Sequence, residues 1–252
     1  MVDKHAARET LRGAAVRPPW SIVTLTLIGL LAIAVAAGAY LALRPGSQTS
    51  ELPRASGIPA NVATATANEM GLSPLPGHPA PNFKLTDQNG RTLSLSSLRG
   101  RSVVLEFMDP HCTDICPIVS QEFVDAYRDL GARAAGSVFV AVNVNRFHTS
   151  SAAMAAYSHA HGLSLIADWH FFTGEPAALR RVWNAYGVYV YAPNANADVV
   201  HSSVVYFIDA RGRERFVASP YADHHKNGSA YLPAATMAEW GHGIATLALD
   251  VR

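Results

Sequence analysis

An uninterrupted apolar stretch near the N-terminus precedes a longer region of alternating short apolar runs. No Asp, Glu, Lys or Arg occurs from Trp20 to Leu43, and a helix over that range would be roughly 36 Å long, enough to cross a bilayer. Residues 44–78 mix Pro, Ser, Thr, Ala and Gly without a clear period, which is typical of a flexible linker. From residue 79 onward, apolar runs alternate with amphipathic stretches, and this pattern indicates an α/β domain.

Within this C-terminal region the periodicity predicts strands and helices in alternation. A hairpin is predicted around Asn89-Gly90, because alternating residues flank a dipeptide that favours tight turns. Further strands are predicted at 103–108, 137–144, within 163–172, at 204–208 and at 215–217, and helices at 121–130, 151–161, 176–186 and 234–249. This order predicts a thioredoxin-like three-layer α/β sandwich with an N-terminal β-hairpin, preceded by one transmembrane helix.

The charges around the apolar stretch predict its orientation in a membrane. Lys and Arg residues are more frequent before the stretch than after it, where the first are Arg44 and Arg54. The positive-inside bias therefore predicts that the C-terminal domain lies outside the cytoplasm, in the periplasm or at the cell exterior. A cleaved signal peptide is the alternative, although its apolar region is usually shorter, about 7–15 residues. The predicted organisation is a cytoplasmic segment at 1–19, an anchor at 20–43, a linker at 44–78 and a thioredoxin-like domain at 79–252.

Composition and charge narrow the class of function. The chain has 252 residues, of which 49% are hydrophobic and 15% charged, and this suits one sizeable domain with appendages. Its formal net charge is only +1, so no strong electrostatic field favours nucleic acid as a partner.

The only two cysteines, Cys112 and Cys116, are the strongest candidates for chemistry. They lie where a predicted strand meets a predicted helix, and ligands of α/β sheets gather at such strand ends. Three intervening residues allow both sulfurs to lie on one face of a helical turn. Two thiolates select soft ions such as Cu(I), and an added imidazole also allows Cu(II). Residue types alone leave open a metal site, a dithiol redox pair and an inert disulfide.

Several segments resemble the Sco/SenC family of thioredoxin-like proteins. Residues 107–117 resemble the family's strand end followed by Cys-x-x-x-Cys-Pro. Residues 77–90 are similar to its N-terminal hairpin, and Trp169–Gly174 is similar to its Trp-x-Phe-x-Thr-Gly segment. His201 opens a segment that resembles the distal histidine strand. The resemblance covers about residues 77–250.

This resemblance implies that Cys112, Cys116 and His201 are ligands of copper, as Cu(I) or Cu(II). It also implies a metallochaperone, here anchored in the membrane by the apolar stretch 20–43, whose partner is the copper-receiving subunit of a respiratory oxidase, at the binuclear copper centre of cytochrome c oxidase. The alternative is an exported thiol-disulfide oxidoreductase in which Cys112 and Cys116 are the catalytic redox pair. A dedicated reductase usually has two residues between its cysteines and a proline opposite them, so the spacing here favours metal. A thiol peroxidase would need an Arg near the thiol, and the cysteine motif has none.

Two departures from the family concern the surroundings of the proposed ligands. Val200 stands where an Asp is common, so a side chain that orients the His201 imidazole is expected to be missing. Residues 143–148 replace an acidic Asp-Pro segment of the family. This replacement changes the surface that is expected to contact the partner protein.

Other histidines and one aspartate are weaker candidates. His111, next to Cys112, could be a fourth ligand, and His224-His225 could form a second metal site in a polar loop. His170 is expected to be structural. Asp114 is expected to cap the start of the helix that follows the cysteines.

Overall fold

The computed structural model describes residues 56–252 and, ahead of them, Leu27, Leu31, Ile33 and Val35. The predicted segment 1–19 lies outside the described residues, as does the predicted anchor 20–43 apart from those four positions. Among the residues that are described, no helix is both long and apolar enough to cross a membrane.

Strands and helices alternate along residues 56–252. The helices are α1 (Thr64–Glu69), α2 (Ile115–Leu130), α3 (Ser151–Ala160), α4 (Pro176–Ala185) and α5 (Ala234–Asp250). The strands are β1 (Ser73–Pro74), β2 (Lys84–Thr86), β3 (Thr92–Ser94), β4 (Ser102–Met108), β5 (Ser137–Asn143), β6 (Trp169–Phe172), β7 (Val190–Tyr191), β8 (Val200–His201), β9 (Val205–Ile208), β10 (Glu214–Ala218), β11 (Asp223–His224) and β12 (Ala230–Tyr231). Short 3₁₀ helices lie at Leu95–Leu98, Gly131–Gly136 and Leu163–Leu165.

The main sheet of this region has six strands in the order β1-β10-β9-β4-β5-β6. Strands β4, β5 and β6 are parallel to one another, whereas β9 is antiparallel to β4 and β10 is antiparallel to β9. In the centre, Val104 of β4 pairs with Phe139 of β5 and with Phe207 of β9. Every residue of β4 is buried, so the loop that follows it leaves from the middle of the sheet.

Two hydrophobic cores lie on opposite faces of this sheet, because successive side chains of a strand point in opposite directions. Val104 and Met108 belong to the core that includes residues of α1, α2, α3 and α5. Leu105 and Phe107 belong to the core that includes residues of α4 and of the β2–β3 hairpin. The arrangement confirms the predicted thioredoxin-like α/β fold, with helices on both faces of the sheet.

The predicted hairpin around Asn89-Gly90 is strands β2 and β3, in which Leu85 pairs with Leu93. Gly90 has a φ of +76°, a left-handed conformation that glycine adopts at little cost. The amide of Gly90 donates a hydrogen bond to the carbonyl of Asp87 at 2.9 Å. The glycine of the turn and the alternating residues on either side therefore both favour this hairpin, as predicted.

His170 of β6 is buried beside this hairpin and has a structural role, as expected. Its Nδ1 lies 3.0 Å from a carboxylate oxygen of Asp87, and its Nε2 lies 3.2 Å from one of Asp168. Both ring nitrogens thus contact carboxylates, and the contact with Asp87 connects β6 to the hairpin.

The structure differs from the sequence prediction within residues 44–78. A flexible linker is predicted there, yet Val62 and Met70 are buried in the first core, and Ser73–Pro74 pairs with β10 as β1. A side chain at Gly243 of α5 would collide with Met70, so α5 carries glycine where this segment packs. The folded domain therefore extends N-terminally to about Ile58, because a few apolar residues suffice to bury a segment whose composition is otherwise that of a linker.

Candidate metal centre

The cysteine segment connects the end of β4 to the start of α2. The helix begins at Ile115, earlier than the predicted start at 121, so Cys116 lies in its first turn. Pro117 follows directly, where a helix tolerates proline because the first amides have no acceptor within the helix. Cys112 is half-buried in the preceding loop, Cys116 is 2% exposed, and both thiols are free.

The sulfur of Cys112 lies at the N-terminus of α2, where the amide of Cys116 donates to it at 3.5 Å. The pKa of Cys112 is lowered to about 7, chiefly because the Cys116 thiol donates a hydrogen bond to its sulfur, with help from the amides of Cys116 and Asp114. The same thiol–thiol hydrogen bond, together with burial, raises the pKa of Cys116 well above its usual value. Cys112 is therefore the thiol that ionises first.

Metal-free protein treated with iodoacetamide is expected to be alkylated at Cys112 before Cys116, since Cys112 is both more exposed and more readily ionised. The alkylation rate of Cys112 should rise with pH through a midpoint of about 7, because only the thiolate reacts. Peptide mass spectrometry at successive times measures both rates. In Cys116→Ala the midpoint should move to higher pH, since the donor to the Cys112 sulfur is gone. Equal rates at the two cysteines would contradict this difference.

His201 lies in β8, which within residues 56–252 pairs only with β7, in a hairpin separate from the main sheet. Its Nδ1 is 2.9 Å from the carbonyl oxygen of Ser202. Because a carbonyl only accepts, Nδ1 carries the proton and Nε2 retains a lone pair for a metal. Burial lowers the pKa of His201, which favours the neutral imidazole that metals bind. The orienting partner that is expected to be missing at Val200 is thus replaced by a main-chain carbonyl.

His201 and Cys112 line one cleft of about 320 Å³. Cys116 is not in the wall of the cleft. It lies in the first turn of α2, and its amide contacts the sulfur of Cys112. Asp109, Asp114 and Asp198 also line the cleft, so acidic residues form part of its wall. Within residues 56–252, no three His, Cys, Asp or Glu side chains form a preformed metal site. The structure therefore brings Cys112 and His201 to the same cleft without assembling a finished coordination sphere.

Asn143, the last residue of β5, and Asn145, which follows it, form hydrogen bonds that hold the loops around the cysteine segment. Nδ2 of Asn145 donates to Oδ1 of Asp109 at 3.0 Å, and the same carboxylate oxygen accepts the amide of His111 at 2.9 Å. Asn143 is fully buried and donates to the carbonyl of His148 at 2.9 Å. The residues that replace the family's acidic segment thus form a buried hydrogen-bond network between the two loops.

His224, which the sequence suggests as part of a second metal site, contacts a residue of the cysteine segment. His224 lies in the β11–β12 hairpin, where the sequence predicts a polar loop, and its Nε2 is 2.8 Å from Oδ1 of Asp114. Asp114 precedes α2 as expected, but its side chain makes no capping hydrogen bond. The carboxylate of Asp114 therefore connects the cysteine segment to the β11–β12 hairpin and does not cap the helix as predicted.

Two buried glutamates near the site are absent from the sequence predictions. Glu106 of β4 is 1% exposed and Glu122 of α2 is 0% exposed. Ser203 donates to one oxygen of Glu106 across a long 3.5 Å contact. Among the described residues, the other oxygen of Glu106 and both oxygens of Glu122 have no hydrogen-bond partner. Burial raises the pKa of both carboxyls well above the usual range. A lone Glu within an otherwise apolar strand is the signal that could have revealed Glu106.

Comparison with known proteins identifies the family. The SCO1/SenC family model matches residues 75–230, which include Cys112, Cys116 and His201. The chain belongs to the SCO1/SenC family. This confirms the resemblance seen in the sequence motifs.

Individual relatives of this SCO1/SenC chain are distant. The mitochondrial SCO2 homolog of Bos taurus is 30% identical over 143 residues, which cover 52% of this chain and 50% of the bovine protein, so the match spans about half of that relative. The structure of Bradyrhizobium japonicum ScoI with copper bound has a TM-score of 0.53 and 23% identity, covering 69% of this chain and 99% of ScoI. BsSco has a TM-score of 0.51 and 20% identity, covering 69% of this chain and 96% of BsSco. At these identities the two structures establish the shared fold.

Proposed function

We propose that this SCO1/SenC protein is a copper metallochaperone that binds copper, its cargo, through Cys112, Cys116 and His201. The observation that carries the proposal is that Cys112 and His201 line one cleft, with Cys116 hydrogen-bonded to Cys112. Two thiolates select Cu(I), and the added imidazole makes a trigonal site that also takes Cu(II). The copper bound to ScoI of Bradyrhizobium japonicum supports this assignment.

Each proposed ligand contributes in a different way. Cys112 is the thiol that ionises first, Cys116 gives up its proton when the metal binds, and His201 offers Nε2. The β7–β8 hairpin closes the cleft in this proposal, and because it is separate from the main sheet, it can move without breaking sheet hydrogen bonds. A three-ligand site leaves an open position, so a ligand of the recipient can attach before the Cu–S bonds break.

We also propose that the recipient is the copper-receiving subunit of a respiratory oxidase, at the binuclear copper centre of cytochrome c oxidase. BsSco is described as a member of the Sco family of cytochrome c oxidase assembly proteins, which supports this recipient. In the same proposal the apolar stretch 20–43 anchors the chain in the membrane and the folded domain lies outside the cytoplasm. The absence of acidic and basic residues from this stretch supports the anchor.

Replacing His201 by alanine is expected to weaken copper binding by at least about tenfold, since loss of even an outer partner of a ligand costs that much. The wild-type chain should bind about one copper per molecule, with thiolate-to-Cu(II) absorption bands that His201→Ala removes or shifts. Equilibrium dialysis and visible absorption measure both effects. His225→Ala is the matched control, because that ring stacks on Tyr231 in another hairpin. Unchanged affinity and bands in His201→Ala would contradict the proposed ligand set.

The difference between the two thiol pKa values favours thiol-disulfide exchange as a second function. In that reaction the Cys112 thiolate attacks a partner disulfide and releases one partner thiolate, which takes up a proton. Cys116, after losing its proton, then attacks Cys112 and releases the second partner thiol. The partner disulfide gains two electrons, and Cys112 and Cys116 become a disulfide. Rapid reduction of insulin by the metal-free chain, unaffected by His201→Ala, together with failure to bind copper, would favour this function over the first.

A further inference from the structure

Two imidazoles meet beside the cysteine segment, and the proposed copper centre uses neither. His111 lies in the loop after β4 and His148 in the loop after β5. Their ring centroids are 3.9 Å apart, and their planes are inclined by 32°. We propose that His111 and His148 form a second metal site, which takes a borderline divalent cation such as Cu(II) or Zn(II).

Each ring has a nitrogen available for a metal. Nε2 of His148 lies 3.3 Å from the carbonyl oxygen of Ala195. Because the carbonyl accepts, Nε2 is the protonated nitrogen, and Nδ1 keeps its lone pair. The His111 ring is exposed, and across residues 56–252 only its main-chain amide makes a hydrogen bond. A nitrogen of His111 is therefore also free to bind.

The two rings are close enough to reach one shared ion once they turn. Two ligand nitrogens on one ion lie about 3–4 Å apart, since metal–nitrogen distances are about 2.0–2.1 Å. The present centroid distance of 3.9 Å is that of two rings lying face over face. A simple stacking contact is the alternative explanation of this geometry. Binding requires the His111 ring to turn its nitrogen toward the nitrogen of His148. That rotation breaks no hydrogen bond of the His111 ring to the described part of the chain, but it separates the ring faces of His111 and His148.

The main chain of both residues is held in place by buried side chains. The carbonyl of His148 accepts from Asn143 at 2.9 Å, and its amide donates to Asn145 at 3.2 Å. The amide of His111 donates to Asp109 at 2.9 Å, and Asp109 in turn accepts from Asn145. One network thus fixes the two loops relative to each other. Such support lowers the entropy lost when two ligands converge on an ion.

The donor set determines which ions suit the site. Imidazole nitrogen favours copper and zinc, whereas Mg²⁺ prefers oxygen ligands. Water completes the coordination, since only two side chains are supplied. The site lies directly next to Cys112 in sequence, so an ion held there stays close to the thiols without using them.

The test uses the full chain with Cys112→Ser and Cys116→Ser, in which no thiolate remains. We expect this variant to retain Cu(II) whose electron paramagnetic resonance spectrum shows nitrogen couplings. Adding His148→Ala should weaken binding by about tenfold or more and remove part of those couplings. Equilibrium dialysis measures the affinity, and Zn(II) but not Mg²⁺ should compete. His242→Ala is the matched control, because that exposed ring pairs with Asp129 on α2, away from both loops.

Equal Cu(II) affinity and unchanged couplings with and without His148→Ala would overturn the second site. The proposal is also overturned if, in the chain with intact cysteines, His111→Ala alters the thiolate absorption while His148→Ala does not, because His111 then belongs to the cysteine centre. Failure of the proposed function gives a different result, namely thiolate bands that survive His201→Ala. The two outcomes are therefore distinguishable.

Discussion

Replacing Asn143 by alanine is expected to lower the free energy of unfolding by about 3 kcal/mol, because several buried hydrogen bonds are lost together. Its Oδ1 accepts the amide of Asn145 at 2.7 Å, and its Nδ2 donates to the carbonyl of His148 at 2.9 Å and to Oγ1 of Thr173 at 3.2 Å. The side chain is fully buried, so water cannot replace these partners. Each buried group left unpaired costs about 1–3 kcal/mol, and the costs are not additive.

Urea denaturation of the metal-free full-length chain measures this loss. Asn184→Ala is the matched control, because that side chain is exposed on α4, and its effect should stay within about 0.5 kcal/mol. Because Asn143 also supports the loop of His148, its replacement should weaken Cu(II) retention in the Cys112→Ser, Cys116→Ser background. If Asn143→Ala were as stable as Asn184→Ala, the network would not be a source of stability.

The long elements of this fold could be predicted from the sequence because their hydrophobic periods are clear. Strand β4, for example, is a mostly apolar run that is buried throughout, and helix α4 has a proline at its start. The hairpin that carries His201 was not predicted, because β7 and β8 have two residues each. Two residues define no period, so such strands form only when the rest of the domain positions them.

The candidate site was predictable to the same partial extent. The position of Cys112 and Cys116 at a strand end follows from local sequence, since the strand and the cysteines adjoin. Contacts between distant residues do not follow from local sequence. The contact of His111 with His148, which are separated by α2 and β5, depends on the parallel pairing of β4 with β5. The parallel register places both loops at the same end of the sheet, beyond the C-terminal ends of β4 and β5. The spacing of His111 and His148 along the chain therefore does not predict their contact, which only the tertiary structure shows.

Replacing Glu122 by glutamine is expected to stabilise the protein at about pH 8 and to leave its stability nearly unchanged at about pH 5. Burial raises the pKa of Glu122 well above the usual range, and the charge of Asp125 raises it further. Above the usual glutamate pKa the unfolded chain has released this proton, while the folded protein still holds it. The free energy of unfolding then falls by about 1.4 kcal/mol per pH unit until the folded carboxyl also ionises.

Glutamine has nearly the shape of a protonated glutamate but releases no proton, so it removes this contribution to the pH dependence. Urea denaturation of the metal-free chain at several pH values should therefore give a shallower decline for Glu122→Gln than for wild type. Glu106→Gln should act in the same direction, because burial also raises the pKa of Glu106, with a further rise from the nearby Glu122. Glu175→Gln is the control, since Glu175 is exposed at the start of α4. Parallel curves for wild type and Glu122→Gln would show that this carboxyl is not held protonated in the fold.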